Sequence, residues 1–271
     1  SPAAARRRAQ ADGVTVAALQ AAIANYEIEI YVQPQMDARS GALHGVEALA
    51  RWNSPAHGFV PPDRFVALAE EHGLIGDLTE LVLKKSLVAC SRWNQAGLQT
   101  RISVNAPIAA MCDLMLPDTI LTQLERMELQ PGQLTLEITE TGVLQNMERA
   151  LDVLARLRLR GIGLAIDDFG CGHSTFQQLR RLPFSELKVD CSFVMKMLSD
   201  RDAHNIVRSC LDLARDLELQ AVAEGVETQQ HWDALAQMGC PLLQGYHIAK
   251  PFPAAQLPAW LRQRKILPAV H

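Results

Sequence analysis

The sequence predicts an α/β fold, a modified (β/α)8 TIM-type barrel with one antiparallel strand. Three observations carry that prediction. Strand-like and helix-like segments alternate over most of about 250 residues, the usual span of such a barrel, with eight strands in all. The first two strands are joined by a link around Ser40-Gly41, too short for a parallel crossover, which takes about a dozen residues or more. Polar residues gather at the carboxyl ends of the strands, where a barrel gathers side chains at one mouth. An open doubly wound sheet is the alternative arrangement.

The elements follow in chain order. Ser1 to Asp12, with the triplet Arg6-Arg7-Arg8, reads as a solvated linker from a longer protein, so residues 1–13 are expected to be a tail and 14–271 one domain. Val14–Asn25 has apolar residues at helical spacing. Ile28, Ile30 and Val32 alternate with polar neighbours, a strand signal, and Leu43–Leu49 reads as the second strand, pairing with the first as a hairpin. Asp63 is a plausible N-cap for a helix ending at Glu71, and a longer helix fills Asp77–Gln95 up to Gly97. Further strands are predicted at Arg101–Val104, Leu134–Ile138, Ile162–Ile166, Glu186–Val189, Gln220–Ala223 and Pro241–Leu243. Between and after them helices are predicted at Thr119–Met127, Met147–Arg160, Thr175–Arg181, Asp202–Leu217, Gln229–Met238 and Leu257–Arg264. The apolar stripes of the long helices are core.

Composition narrows the function. Of 271 residues, 48% are hydrophobic and 21% charged, enough apolar material for a sizeable core, and the net charge of -4 argues against a surface tracking duplex nucleic acid. A small anionic substrate held by metals and an arginine or two is compatible. No apolar run approaches a membrane span and no secretory signal is visible. Six scattered cysteines, without zinc spacing, read as reduced thiols of a cytoplasmic protein or a cytoplasmic portion of one. The histidines outside the glycine loop (His44, His57, His72, His204, His231, His247 and His271) show no metal-ligand spacing.

The chemistry centres on Leu164-Ala165-Ile166-Asp167-Asp168-Phe169-Gly170-Cys171-Gly172, a buried-strand pattern ending in two adjacent carboxylates and a glycine loop. Two like charges at the mouth of an apolar strand are costly without a cation between them. Oxygen-only ligands suit magnesium, manganese or calcium. The other strand ends extend the pattern: Glu47, Asn105, Glu137, Lys188 with Asp190, Glu224 and Gln244. One such acid is usually a helix cap or surface group. Acids on five converging strand ends would repel one another and destabilise the fold unless cations neutralise them.

Seven motifs in order resemble the EAL-domain phosphodiesterases, which hydrolyse cyclic di-GMP. They are Glu47-Ala48-Leu49-Ala50-Arg51, Val104-Asn105, Leu136-Glu137-Ile138-Thr139-Glu140, Asp167-Asp168-Phe169-Gly170, Leu187-Lys188-Val189-Asp190, Ala223-Glu224-Gly225-Val226-Glu227-Thr228 and Gln244-Gly245-Tyr246. The tripeptide Glu-Ala-Leu alone would mean little. The similarity runs from about Tyr31 to Trp260, nearly the whole chain, and the family's barrel has one antiparallel strand, as the hairpin requires.

The resemblance implies a ligand set and roles. Glu47, Asn105, Glu137 and Asp167 would hold one Mg2+ or Mn2+. Asp167 would bridge to a second ion supported by Asp168 and, directly or through water, Glu224. Two such ions roughly 3.5–4 Å apart clamp an in-line displacement at phosphorus and acidify a water. Lys188 would orient that water or stabilise phosphoryl charge, against the plain reading of a lysine paired with Asp190 or Glu224. Glu224 serves equally as base or ligand. Arg51 is the natural phosphate contact. Gln33 resembles the family glutamine on the guanine side of the substrate; Asp190, Glu227 (or an outer-shell water on it) and Gln244 complete the substrate-side set. Glu140 resembles the glutamate that anchors the glycine loop, the alternative being a helix cap. Cys171 and His173 depart from the usual small residue and tyrosine, and a space-filling thiol and bystander histidine are the simpler reading of both. The family also implies a homodimer through helices near the fifth and sixth strands, and fusion to a sensory or cyclase domain.

The leading expectation is therefore metal-dependent hydrolysis of cyclic di-GMP to linear pGpG. A catalytically inactive cyclic di-GMP-binding receptor would have lost ligands, and none is missing here. A metal-assisted lyase or isomerase of enolase type would also gather acids around magnesium, but leaves the seven motifs unexplained.

Overall fold

The computed structural model describes residues 13–171 and 179–264. Its barrel begins with the expected hairpin, β1 (Ile28–Asp37) and β2 (Leu43–Ser54), antiparallel with Gln33 opposite Glu47. Strand β2 runs five residues past its predicted end because β3 (Gly58–Val60) folds back on Trp52–Ser54 and supplies a further ladder. Then come β4 (Arg101–Asn105), β5 (Leu134–Thr139), β6 (Gly163–Phe169), β7 (Glu186–Val189), β8 (Gln220–Ala223) and β9 (Leu242–Gln244), with β2 and these strands parallel in succession. Strand β1 closes the eight-stranded barrel by pairing antiparallel with β2 on one side and β9 on the other, so it is the reversed strand. The two-residue β10 (Phe252–Pro253) pairs with β1 at Tyr31–Val32.

The helices are α1 (Val16–Ala24), α2 (Pro62–Glu71), α3 (Ile75–Gln95), α4 (Leu116–Arg126), α5 (Glu140–Leu159), α6 (Cys191–Val194), α7 (Arg201–Asp216), α8 (Gln229–Gln237) and α9 (Leu257–Arg264). Asp63 is not a cap. Pro61 occupies the N-cap position and Pro62 opens α2, where a missing N–H costs nothing, while Asp63 lies in the first turn near the positive end of the helix dipole. Helix α5 starts at Glu140 rather than Met147, immediately after β5. The segment expected as a helix from Thr175, the Arg6–Arg8 triplet, His173 and His271 lie outside the described residues.

Strand alternation divides the interior in two. Ile102, Val104, Leu134, Leu136, Ile138, Leu164, Ile166, Leu187 and Val189 are buried and face the helices, forming the apolar core between barrel and shell. The alternate positions face the barrel axis, and many are polar: Ser103, Thr135, Glu137, Glu186 and Lys188, all buried, share that face with Ala165, Val222 and Leu242. Polar positions on the axis, inside an apolar jacket, are what let charged side chains converge at the mouth.

Candidate active site

Register decides which side chains meet. Gln33 of β1 pairs with Glu47 of β2, Asn105 of β4 with Glu137 of β5, Thr139 of β5 with Asp167 of β6, and Gln35 of β1 with Gln244 of β9. Glu224 follows β8 directly. On β6 the ladder to β7 skips a residue: Ile166 pairs with Leu187, and Phe169 with Val189. That bulge sets Asp168 in the left-handed region at φ +54°. Neighbouring strand residues ordinarily point to opposite faces, and here Asp167 and Asp168 each offer an oxygen to one cluster with Glu224, all within 4.8 Å of one another.

Lys188 lies at the centre, 1% exposed. Its Nζ is 2.7 Å from Glu137 Oε2, 2.8 Å from Glu224 Oε1, 3.1 Å from Asp167 Oδ1 and 3.6 Å from Glu47 Oε2. Burial opposes the ammonium charge, but these four carboxylates overcome it and hold its pKa well above the ordinary lysine value. The carboxylates are strained in return. Burial pushes Glu137 well above the usual range, with Glu47 and Asp167 adding repulsion against the pull of Lys188. Burial likewise lifts Glu224 to about 8 and, helped by Asp167 and Asp190, Asp168 to about 6.

One ammonium does not satisfy five acids. Glu137 Oε1 is buried without a hydrogen-bond donor, and Asp167 Oδ1, also buried, has the shared Lys188 ammonium at 3.1 Å and no well-aligned hydrogen bond, a state that costs free energy unless a further cation meets them. Under-satisfied carboxylate oxygens on an all-oxygen donor set fit hard divalent cations. The cluster therefore could hold a metal, with Asp167, Asp168 and Glu224 each offering an oxygen.

Around the ring, amides hold the acids in place. Asn105 Nδ2 donates to Glu47 Oε1 at 3.1 Å, and Gln244 Nε2 donates to Glu47 Oε2 at 2.5 Å. Gln244 is buried, and its other N–H goes to Gln33 Oε1 at 3.2 Å, so both its amide hydrogens are used inside the protein. Gln33, also buried, donates to the Ala249 carbonyl. Glu140 is buried at the start of α5 and accepts from the Gly170 N–H at 3.2 Å, beneath the glycine loop, where Gly170 takes φ +106°. Asp190 caps α6, accepting from the Ser192 backbone and hydroxyl. Glu227 is exposed on the loop after β8. That loop is clamped to the ring by Gly245, where a Cβ would collide with the Val226 backbone. Cys171 is exposed, its thiol pushed up by partial burial and the Asp190 carboxylate.

Arg51 stands off the ring. Its guanidinium lies 5.9 Å from the Tyr31 ring centroid and borders a cavity of about 260 Å³ lined by Tyr31, Asn53, Phe59, Tyr246 and Lys250. Sequence reasoning missed the roles of Gln35, Phe59 and Lys250. Only the alternation of Gln33 and Gln35 on one face of β1 hinted at the first; the other two depend on β3 and the chain after β9 meeting β2. Three larger cavities share no residue with the ring: two, of about 470 and 530 Å³, border α3, and one of about 490 Å³ borders α9.

Comparison with known proteins agrees with this geometry. Residues 16–251 match the EAL domain family. The chain is 38% identical over 240 residues to a Pseudomonas aeruginosa protein named as the bifunctional diguanylate cyclase/cyclic di-GMP phosphodiesterase MucR, covering 88% of this chain and 35% of that protein. It is 35% identical over 229 residues to the cyclic di-GMP phosphodiesterase RocR of the same organism, covering 84% of this chain and 58% of RocR. The oxygen sensor protein DosP of Escherichia coli is 35% identical over 246 residues, 90% of this chain and 31% of DosP. The chain thus spans about a third of the length of two of these relatives. Among solved structures, the PaMucR phosphodiesterase in complex with c-di-GMP superposes with a TM-score of 0.85 at 37% identity, covering 89% of this chain and 98% of that one. With its fold, its acidic ring and its sequence all pointing the same way, the chain belongs to the EAL domain family.

Proposed function

We propose that this chain is a metal-dependent phosphodiesterase that hydrolyses cyclic di-GMP to linear pGpG. The observation that carries the reading is the convergence of Glu47, Glu137, Asp167 and Glu224 on one buried ammonium, with Asp168 beside Asp167 and Glu224 and with Glu137 Oε1 left without a donor. Those acids and Asn105 would hold two Mg2+ or Mn2+ ions, which would supply Lewis-acid polarisation of the phosphoryl group and acidify water. The chain's own groups do the rest. Arg51 takes a non-bridging phosphate oxygen, and Tyr31, Phe59 and Tyr246 offer ring faces on which a guanine stacks. Lys188 stabilises charge on the phosphoryl oxygens, and Glu224 accepts the water's proton. The water oxygen bonds to phosphorus as the bond to one 3′ oxygen breaks, leaving a 5′-phosphate and a 3′-hydroxyl. Gln33 faces the guanine side, Asp190 and Glu227 border the site, and Glu140 holds the glycine loop from below. Gln244, with both amide hydrogens spent internally, holds Glu47 instead of touching substrate.

The reading extends to context. The domain works in bacterial cytoplasmic signalling, fused to a sensory or cyclase module and paired as a homodimer. Among the described residues no helix is long and apolar enough to cross a membrane. The deciding experiment is turnover of cyclic di-GMP by wild type and Glu47→Ala in Mg2+ and in Mn2+, with pGpG followed by chromatography. Wild type should produce pGpG, and Glu47→Ala should lose about a hundredfold or more of that rate. Tight binding of the nucleotide without any turnover would make the chain a receptor instead.

A further inference from the structure

Gln35 is 1% exposed on the axis-facing side of β1, beyond reach of the acid ring itself, and its Nε2 donates to Gln244 Oε1 at 3.0 Å. Gln244 Nε2 in turn donates to Glu47 Oε2 and Gln33 Oε1, and Gln33 Nε2 donates to the Ala249 carbonyl. The direction of this chain is forced at both ends. An ionised carboxylate and a backbone carbonyl only accept, so each must face an NH2 group. Gln244 must therefore turn its oxygen away from Glu47, and the group meeting that oxygen has to be a donor. Gln35 is that donor. An acceptor at position 35 would attract the Gln244 NH2, rotate the amide and bring its oxygen against Glu47.

We propose that Gln35 is a positioning residue for metal binding: by locking the Gln244 amide, it fixes the Glu47 carboxylate in the orientation that a divalent cation requires. The proposal rests on the reading of Glu47 as a metal ligand. Partners of metal ligands that hold them by hydrogen bonds commonly change affinity by about 10–100-fold when removed.

The test is Mn2+ binding by titration calorimetry on the purified chain, without substrate, alongside thermal melting in chelator. Gln35→Glu, which replaces the donor by an acceptor, should weaken Mn2+ binding about 10-fold. Gln35→Met, which keeps the shape and removes the donor without adding charge, should weaken it less and preserve folding. In a Gln244→Met background, Gln35→Glu should have no further effect on affinity, because the amide it acts through is gone. Wild-type Mn2+ affinity in both Gln35 variants, even with a lowered melting temperature, would reduce Gln35 to a packing role and overturn the proposal. An undiminished effect of Gln35→Glu in the Gln244→Met background would also overturn it. Equal Mn2+ affinity of wild type and Glu47→Ala would instead bring down the underlying reading of the site, and the proposal with it.

Discussion

Lys188 holds its charge inside the barrel only because Glu47, Glu137, Asp167 and Glu224 surround it. The same crowding leaves the acids more easily protonated than free carboxylates, and that has a measurable sign. Asp168 at about 6 and Glu224 at about 8 bind protons in the native state that the unfolded chain, near the ordinary 3.8 and 4.5, releases. Where the native state binds more protons, stability falls as pH rises. The metal-free protein should therefore melt at a lower temperature at about pH 8 than at about pH 5, by differential scanning calorimetry in chelator. Protons and metal compete for these oxygens, so Mn2+ affinity should rise over the same interval. Melting temperatures that climb toward pH 8 in chelator would mean the acids are not mutually strained as the geometry requires.

At the scale of the element, the bulge in β6 is the device that makes a two-acid site from one strand. Strand geometry would send Asp167 and Asp168 to opposite faces; the extra residue and the φ of +54° at Asp168 bring both to the mouth. A non-glycine residue in that region costs of order 1–3 kcal/mol. Asp168→Gly should release that cost and an acid under repulsion, giving a metal-free protein at least as stable as wild type, while phosphodiesterase activity is lost. Asp168→Ala, equally inactive, should melt below Asp168→Gly because it keeps the strained backbone. Chemical denaturation of the two variants side by side decides the point: equal stabilities would mean that the bulge stores no strain.

At the scale of the whole molecule, the site is a seam joining nearly every barrel strand, since β2, β4, β5, β6, β7 and β9, together with the residue after β8, each contribute a group. A ligand held by so many strands should stabilise the fold as a unit. A divalent ion at a hundred times its dissociation constant adds about 2.7 kcal/mol, or about 5–10 °C in melting temperature for a chain of this size. Adding Mn2+ or Mg2+ to chelated protein should produce that rise, and Glu47→Ala should lose most of it. A melting temperature indifferent to either ion would argue that the acids do not close around a metal.

Much of this was legible before folding. The strand–helix alternation, the short link at Ser40-Gly41 and the acids after each apolar run determined a barrel with one reversed strand and named its ring, because strand periodicity and connection length are local properties of the chain. Boundaries were less legible where tertiary pairing extended an element, as β3 does for β2, or where a helix follows a strand without a break, as α5 follows β5. Only the tertiary structure decided three things: that Lys188 is shared among four acids, that a bulge turns Asp168 beside Asp167, and that a hydrogen-bonded chain links Gln35 to Glu47 through Gln244. Each depends on distances between side chains far apart in sequence, and those are set by barrel closure and register, which no single segment encodes.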